Sequence, residues 1–169
     1  MSKSFKSWLA LIIAVAIAIL WNLLLKYNLF YVPILPLSAG NAEIEDWLAE
    51  VFWLNNGISL GLGFLLLGLW IFKAYNKQFI RAELVLERRF QWWFSAFLHF
   101  LACLLIFFST SYFYGWLDDS LYAEFWLWYS GCLFFDTLLI FWLPSALATP
   151  GSLRNIPPLA IKLRKLYGG

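Results

Sequence analysis

The sequence predicts an all-α membrane protein. It reads as a four-transmembrane-helix antiparallel bundle with its N-terminus and C-terminus cytoplasmic, helical extensions on the cytoplasmic hairpin and a short interfacial C-terminal helix. Three observations point there. Hydrophobic residues make up 63% of the chain and charged residues only 13%, outside the range of soluble domains. Four apolar stretches each approach the roughly 20 residues that cross about 30 Å of hydrocarbon. The basic residues crowd onto one set of connections, as retention of Lys and Arg on the cytoplasmic side requires. The whole chain, 1–169, reads as one transmembrane domain with a basic cytoplasmic tail over 148–169.

The first span is expected at about 8–30. Its core, from Trp8 to about position 25, carries no charge and has Asn22 as its one strongly polar residue. It is not read as a secretory signal, because Lys26, Tyr27, Asn28, Phe30 and Tyr31 follow it where a small-residue cleavage site would be needed. With the N-terminus inside, eleven of the twelve Lys and Arg residues fall on the inner face, and Lys26 alone is left outside. The acids mirror this: Glu43, Glu45, Asp46, Glu50, Asp118, Asp119 and Glu124 fall on the outer connections.

Residues 31–36 should be extended, since Pro33 and Pro36 remove backbone donors and bias their predecessors away from helix. Ser38 or Asn41 is expected to cap the next helix, with Glu43, Glu45 and Asp46 favoured by its dipole. The second span, about 43–73, carries Gly57, Ser59, Gly61 and Gly63, whose four-residue spacings put small residues on one face. Such a face permits the close helix approach that drives association in lipid. The contact is either within the monomer or between subunits. Asn55 and Asn56 beside it are candidates for hydrogen bonds between helices.

The inner connection lacks Gly and Pro, so spans two and three are expected to extend as helix before turning. Its Phe79, Ile80, Leu84 and Leu86 offer apolar surface for the membrane, for a partner or for the hairpin itself. The third and fourth spans are expected at about 90–114 and 121–147. Trp8, Trp92, Trp93, Trp116 and Trp142 lie near predicted span ends and read as interfacial anchors. Beyond Pro144, Pro150 and Pro157-Pro158 interrupt helix until a basic amphipathic stretch at 159–167. There Lys162, Arg164 and Lys165, with Arg154 before them, should contact lipid headgroups. No basic run is suited to tracking a phosphate backbone, so nucleic acid is not an expected partner.

The candidate chemistry is an intramembrane polar cluster in spans three and four. His99 is the single histidine, Asp136 the one expected intramembrane carboxylate, and Cys103 and Cys132 the two cysteines. His99 and Cys103 share a helix face, as do Cys132 and Asp136. In a simple antiparallel register His99 and Asp136 sit at depths that agree to about 3 Å, so each is the other's expected partner. A carboxylate at midplane costs about 2.5–3.5 kcal/mol on insertion scales and demands such a partner. The pair can be a helix-pinning hydrogen bond, a proton or ion site, or, with Cys103 and Cys132, a metal or redox set of acceptable ligand types. The spacing matches no metal motif, and no cofactor is expected. Phosphate loops, nucleophile elbows and paired haem histidines are absent from the sequence, so no catalytic residue is assigned.

This size and layout are shared by bacteriocin immunity proteins of the pore-forming-colicin type, small phage-defence membrane proteins and many accessory subunits, and no motif selects among them. The leading expectation is a non-enzymatic subunit or assembly partner of a larger membrane complex, in a bacterial inner membrane, acting through helix contacts with other subunits or itself. The alternatives are an oligomeric channel or ion-conducting defence effector using His99 and Asp136, and a toxin-immunity membrane protein.

Overall fold

The computed structural model describes residues 3–32, 34–37, 39–75, 82–118, 123–149, 153 and 156–166. Among them, all regular structure is helical. Helix α1 runs Lys3–Leu20, passes through a π-helical turn at Trp21–Leu25 and continues as Lys26–Tyr31. Helix α2 comprises Asn41–Trp47, a π turn at Leu48–Phe52 and Trp53–Tyr75. Helix α3, Ala82–Phe113, is uninterrupted. Helix α4 comprises Ala123–Asp136, a π turn at Thr137–Trp142 and Leu143–Ala148. A short α5, Ala160–Leu166, follows. The segments Trp8–Tyr31, Ala42–Tyr75, Val85–Phe113 and Ala123–Ala148 are each long and apolar enough to cross a membrane. The chain is a four-span helical membrane protein by that measure.

The π turn in α4 has a local cause. Pro144 has no N–H to give its own preceding turn, and its ring would press on the carbonyl there; widening that turn relieves the clash. Helix α3 ends in a Schellman motif. Gly115 takes φ +77°, which glycine adopts without steric cost, while Trp116 N–H donates to Ser111 O at 2.8 Å and Gly115 N–H to Tyr112 O at 3.1 Å. Trp116 Nε1 then donates to Glu50 Oε2 at 2.8 Å, tying this corner to α2. At the start of α2 the N-cap is Gly40, whose N–H is bound by Glu43 Oε2 at 2.9 Å. Asn41 is thus the first helical residue rather than the cap, and Ser38 lies outside the described residues.

The interior has two parts. In one, Phe30, Trp47, Phe52, Phe107, Phe125 and Tyr129 are all fully buried, with ring centroids 4.5 Å apart for Phe107 and Tyr129 and 4.9 Å for Phe30 and Trp47. Lipid tails supply no hydrophobic force between helices, so dense contact of planar rings does the holding here. The other part joins Leu66, Leu67, Trp70, Trp92 and Phe141 to Leu153 and Ile156 of the tail. Trp142 Nε1 also donates to Pro158 O at 3.0 Å, so the tail leans on the spans before α5 begins. Lys162 and Lys165 are exposed on α5; Arg154 and the side chain of Arg164 lie outside the described residues.

Two expectations need correction here. Trp92 and Trp116 are buried, the first donating to Ser145 Oγ at 2.9 Å and the second to Glu50, so they bind helices together instead of marking an interface. Trp8 and Trp93 are exposed as interfacial anchors would be. The small-residue face also divides. A Cβ on Gly63 would meet Ile140 Cγ2 at 2.5 Å and His99 Nε2 at 3.0 Å, so Gly63 is where α2 is approached closely, and Ser59 is buried beside it. Gly57 and Gly61 are exposed with nothing within 4 Å of such a Cβ, so neither is a close-approach point among the described residues. On the inner connection, residues 76–81, with Phe79 and Ile80, and the side chain of Leu84 lie outside the described residues, while Leu86 is exposed.

Candidate functional site

Asp136 is fully buried, at the last position of α4 before its π turn, and it is the centre of the site. Its partner is Lys26. The Lys26 Nζ lies 2.7 Å from Asp136 Oδ2, and both side chains are fully buried. Lys26 was counted as the one basic residue on the outer face; it is buried within the segment Trp8–Tyr31, long and apolar enough to cross a membrane. The reason is physical: Tyr27, Leu29 and Phe30 continue the apolar helix past the charge, and the carboxylate of α4 neutralises it.

Local backbone geometry aims these groups. Lys26 N–H bonds to Trp21 O, the five-residue reach that defines a π turn, so Trp21 and Lys26 come to one face of α1. In a regular α-helix they would diverge. Both then reach the same carboxylate, with Trp21 Nε1 donating to Asp136 Oδ1 at 2.8 Å. Helix α2 adds two groups. Ser59 Oγ donates to Asp136 Oδ2 at 3.0 Å, and Asn56 Oδ1 accepts from Lys26 Nζ at 2.7 Å. Asn56 Nδ2 in turn donates to the backbone O of Asn22. An ammonium has three donors. Asp136 and Asn56 take two, and the Tyr129 ring, with its centroid 4.2 Å from Nζ, faces the cation as a π partner.

His99 is buried next to this centre and does not bond Asp136. Its Nδ1 lies 2.8 Å from Thr137 Oγ1 and its Nε2 lies 3.0 Å from Ser59 O. The expected His99–Asp136 contact is therefore replaced by contacts to the residue after Asp136 and to the residue that binds it. A carbonyl only accepts, so Nε2 carries a proton. Thr137 Oγ1 also lies 3.2 Å from Leu133 O, and its one proton serves either that carbonyl or Nδ1. A neutral imidazole accepts from Thr137; an imidazolium donates to it and lets Thr137 donate to Leu133.

Cys103 and Cys132 are free thiols, buried in the aromatic interior beside the site. Among the described residues no three His, Cys, Asp or Glu side chains converge as a metal centre requires, so the four-residue metal set does not form. Two polar atoms near the centre, Asn22 Oδ1 and Tyr129 Oη, are buried with no hydrogen-bond partner.

The network thus draws Trp21, Asn22 and Lys26 from α1, Asn56 and Ser59 from α2, His99 from α3 and Asp136 and Thr137 from α4. Of the expected cluster, His99 and Asp136 are in it, and the cysteines line its apolar wall. Lys26 and Trp21 were missed as members, whereas Asn56, a candidate for hydrogen bonds between helices, makes them to Lys26 and the Asn22 carbonyl. One signal for Lys26 was present: an apolar run that resumes after it, with Asn22 one turn before it on the same helix. No protein-family model matches the chain, and neither a curated protein nor a solved structure matches it.

Proposed function

We propose that this chain is a non-enzymatic integral membrane subunit or assembly partner of a larger complex, working through helix contacts in a bacterial cytoplasmic membrane. One observation carries the reading. The polar cluster inside the four spans is closed, with Lys26, His99 and Asp136 each fully buried and each bonded from within. Its donors and acceptors hold four helices to one another and present no accessible nucleophile or base. What remains for other molecules is an outer surface of exposed aromatic and aliphatic side chains, such as Phe72, Phe90, Phe97 and Leu105. The proposed orientation has both termini inside. Withdrawing Lys26 into the hydrocarbon removes the one basic residue that opposed that orientation. Purification in mild detergent with mass spectrometry of co-purifying proteins and size analysis tests the proposal. Recovery with stoichiometric membrane partners supports it, and recovery as a lone monomer defeats it.

A second reading rests on the three ionisable side chains, Lys26, His99 and Asp136, in one contiguous network. An ion-conducting role would use them as a path through the four spans. Wild-type protein in liposomes would then carry a proton or cation flux, measured with an entrapped dye. Absence of flux from folded protein removes this reading.

A further inference from the structure

Between α2 and α3 lies a groove of about 200 Å³ that the network does not use. Its walls are Leu66, Leu69 and Trp70 on α2 and Phe90, Phe94 and Leu98 on α3, and its polar end holds Lys73, Gln91 and Ser95. The groove changes character along its length. On α2 the lining runs from Leu66 to Lys73, about 10 Å along the helix. On α3 it runs back from Leu98 through Phe94 to Gln91, with Arg88 and Arg89 in the turn beyond.

The charges at the mouth are unequal in what they do. Gln91 accepts from Arg88 Nη1 and donates to Glu87 Oε1 at 2.7 Å. Lys73, Arg88 and Arg89 stand at or next to this end, with Glu87 bonded to Gln91. Lys73 is exposed and its ammonium makes no hydrogen bond or ion pair among the described residues. Leu69, Phe94 and Leu98 are part-exposed along membrane-crossing segments, so the apolar length of the groove opens toward hydrocarbon and not toward water.

We propose that this groove seats one anionic phospholipid, its headgroup phosphate at Lys73 and an acyl chain along Leu66, Leu69, Phe94 and Leu98. Charge complementarity at one end and an apolar slot inside the membrane at the other are the two halves of that ligand's chemistry. The seat rests on the chain spanning a membrane and is independent of the proposed assembly role.

The test uses the full chain in nanodiscs of phosphatidylcholine with a minor fraction of phosphatidylglycerol of matched acyl length. Native mass spectrometry counts the lipid that stays bound. Wild type is expected to retain one phosphatidylglycerol in preference to phosphatidylcholine, and Lys73→Gln to weaken that preference about fivefold. Leu98→Trp, which fills the slot without changing charge, should weaken it as well; Phe94→Trp replaces it if size exclusion shows misfolding. Lys6→Gln, the same charge loss on α1, should leave retention unchanged. The proposal is overturned by wild-type retention in Lys73→Gln or in the groove-filling variant, or by an equal loss in Lys6→Gln. Displacement of the lipid by millimolar glycerol 3-phosphate would overturn it too, since the site would then belong to a soluble phosphate.

Discussion

Asp136→Leu removes the acceptor shared by Trp21 Nε1, Lys26 Nζ and Ser59 Oγ. The ammonium that remains is fully buried among Asn56, Tyr129 and Phe52, and none of these carries a charge. Taking one member from a buried ion pair costs about 3–5 kcal/mol, because the other charge is left uncompensated. Lys26→Met should cost about 3 kcal/mol, the low end, since Trp21 and Ser59 still donate to the carboxylate. The double variant carries no buried charge. Ser59 can turn its hydroxyl to a carbonyl of its own helix, so the loss falls on Trp21 N–H and Asn56 Oδ1, about 2–4 kcal/mol for two orphaned groups. The double variant should therefore cost clearly less than the two single ones together, with a coupling of about 2 kcal/mol or more. Equilibrium unfolding of the four proteins in mixed micelles, followed by tryptophan fluorescence, measures the cycle. Two single variants that each lose under about 1 kcal/mol and add in the double would refute the reasoning. A charge swap, Lys26→Asp with Asp136→Lys, should not restore stability, because the Tyr129 ring face would then meet a carboxylate.

Three further outcomes are expected. Gly63→Ala should destabilise by about 1–3 kcal/mol, because the added carbon meets Ile140 and His99; Gly61→Ala, in open space, should gain up to about 1 kcal/mol from helix propensity. The two thermal midpoints in detergent should move in opposite directions. His99→Leu should cost about 1–2 kcal/mol, clearly less than Asp136→Leu, since Thr137 keeps Leu133 O as a partner; an equal or larger loss in the same unfolding assay would make His99 the centre instead. Cys103 and Cys132 should resist maleimide in the folded protein and react after denaturation in dodecyl sulfate, as buried free thiols do.

Much of the fold was legible because lipid imposes a simple demand: long apolar runs must be helical, and charges must lie beyond them or be paired. That argument found the four runs and singled out Asp136, which is the centre of the observed site. It failed at Lys26 because a basic residue near the end of an apolar run was counted to the outer face, while the helix that carries it runs on to Tyr31 and turns the lysine inward. The register that set His99 opposite Asp136 assumed a rise of about 1.5 Å per residue throughout. A π turn at Thr137–Trp142 intervenes between Asp136 and the end of α4, and His99 meets Thr137, the next residue. Nothing in the order of Trp21, Asn22, Leu23, Leu24 and Leu25 announces a widened turn. It follows from which tertiary partners the flanking side chains reach, and those lie on other helices.

The widened turns also restrict how this protein can change length. A π turn accommodates one residue more than the α-helical path it interrupts. Deleting one residue between Trp21 and Lys26 would close the turn to a regular helix, with Trp21 and Lys26 four apart on one face and Lys26 still on Asp136. A deletion within Thr137–Trp142 would keep Pro144 and Ser145 in phase with Asp136 too, though the Pro144 clash that the widened turn relieves would return. A deletion in the regular helix beside either turn would instead rotate the part beyond by about 100° and retract it by about 1.5 Å relative to the part before. Homologous chains should therefore lose single positions within these turns or in the connections outside the spans, and not elsewhere in the helices.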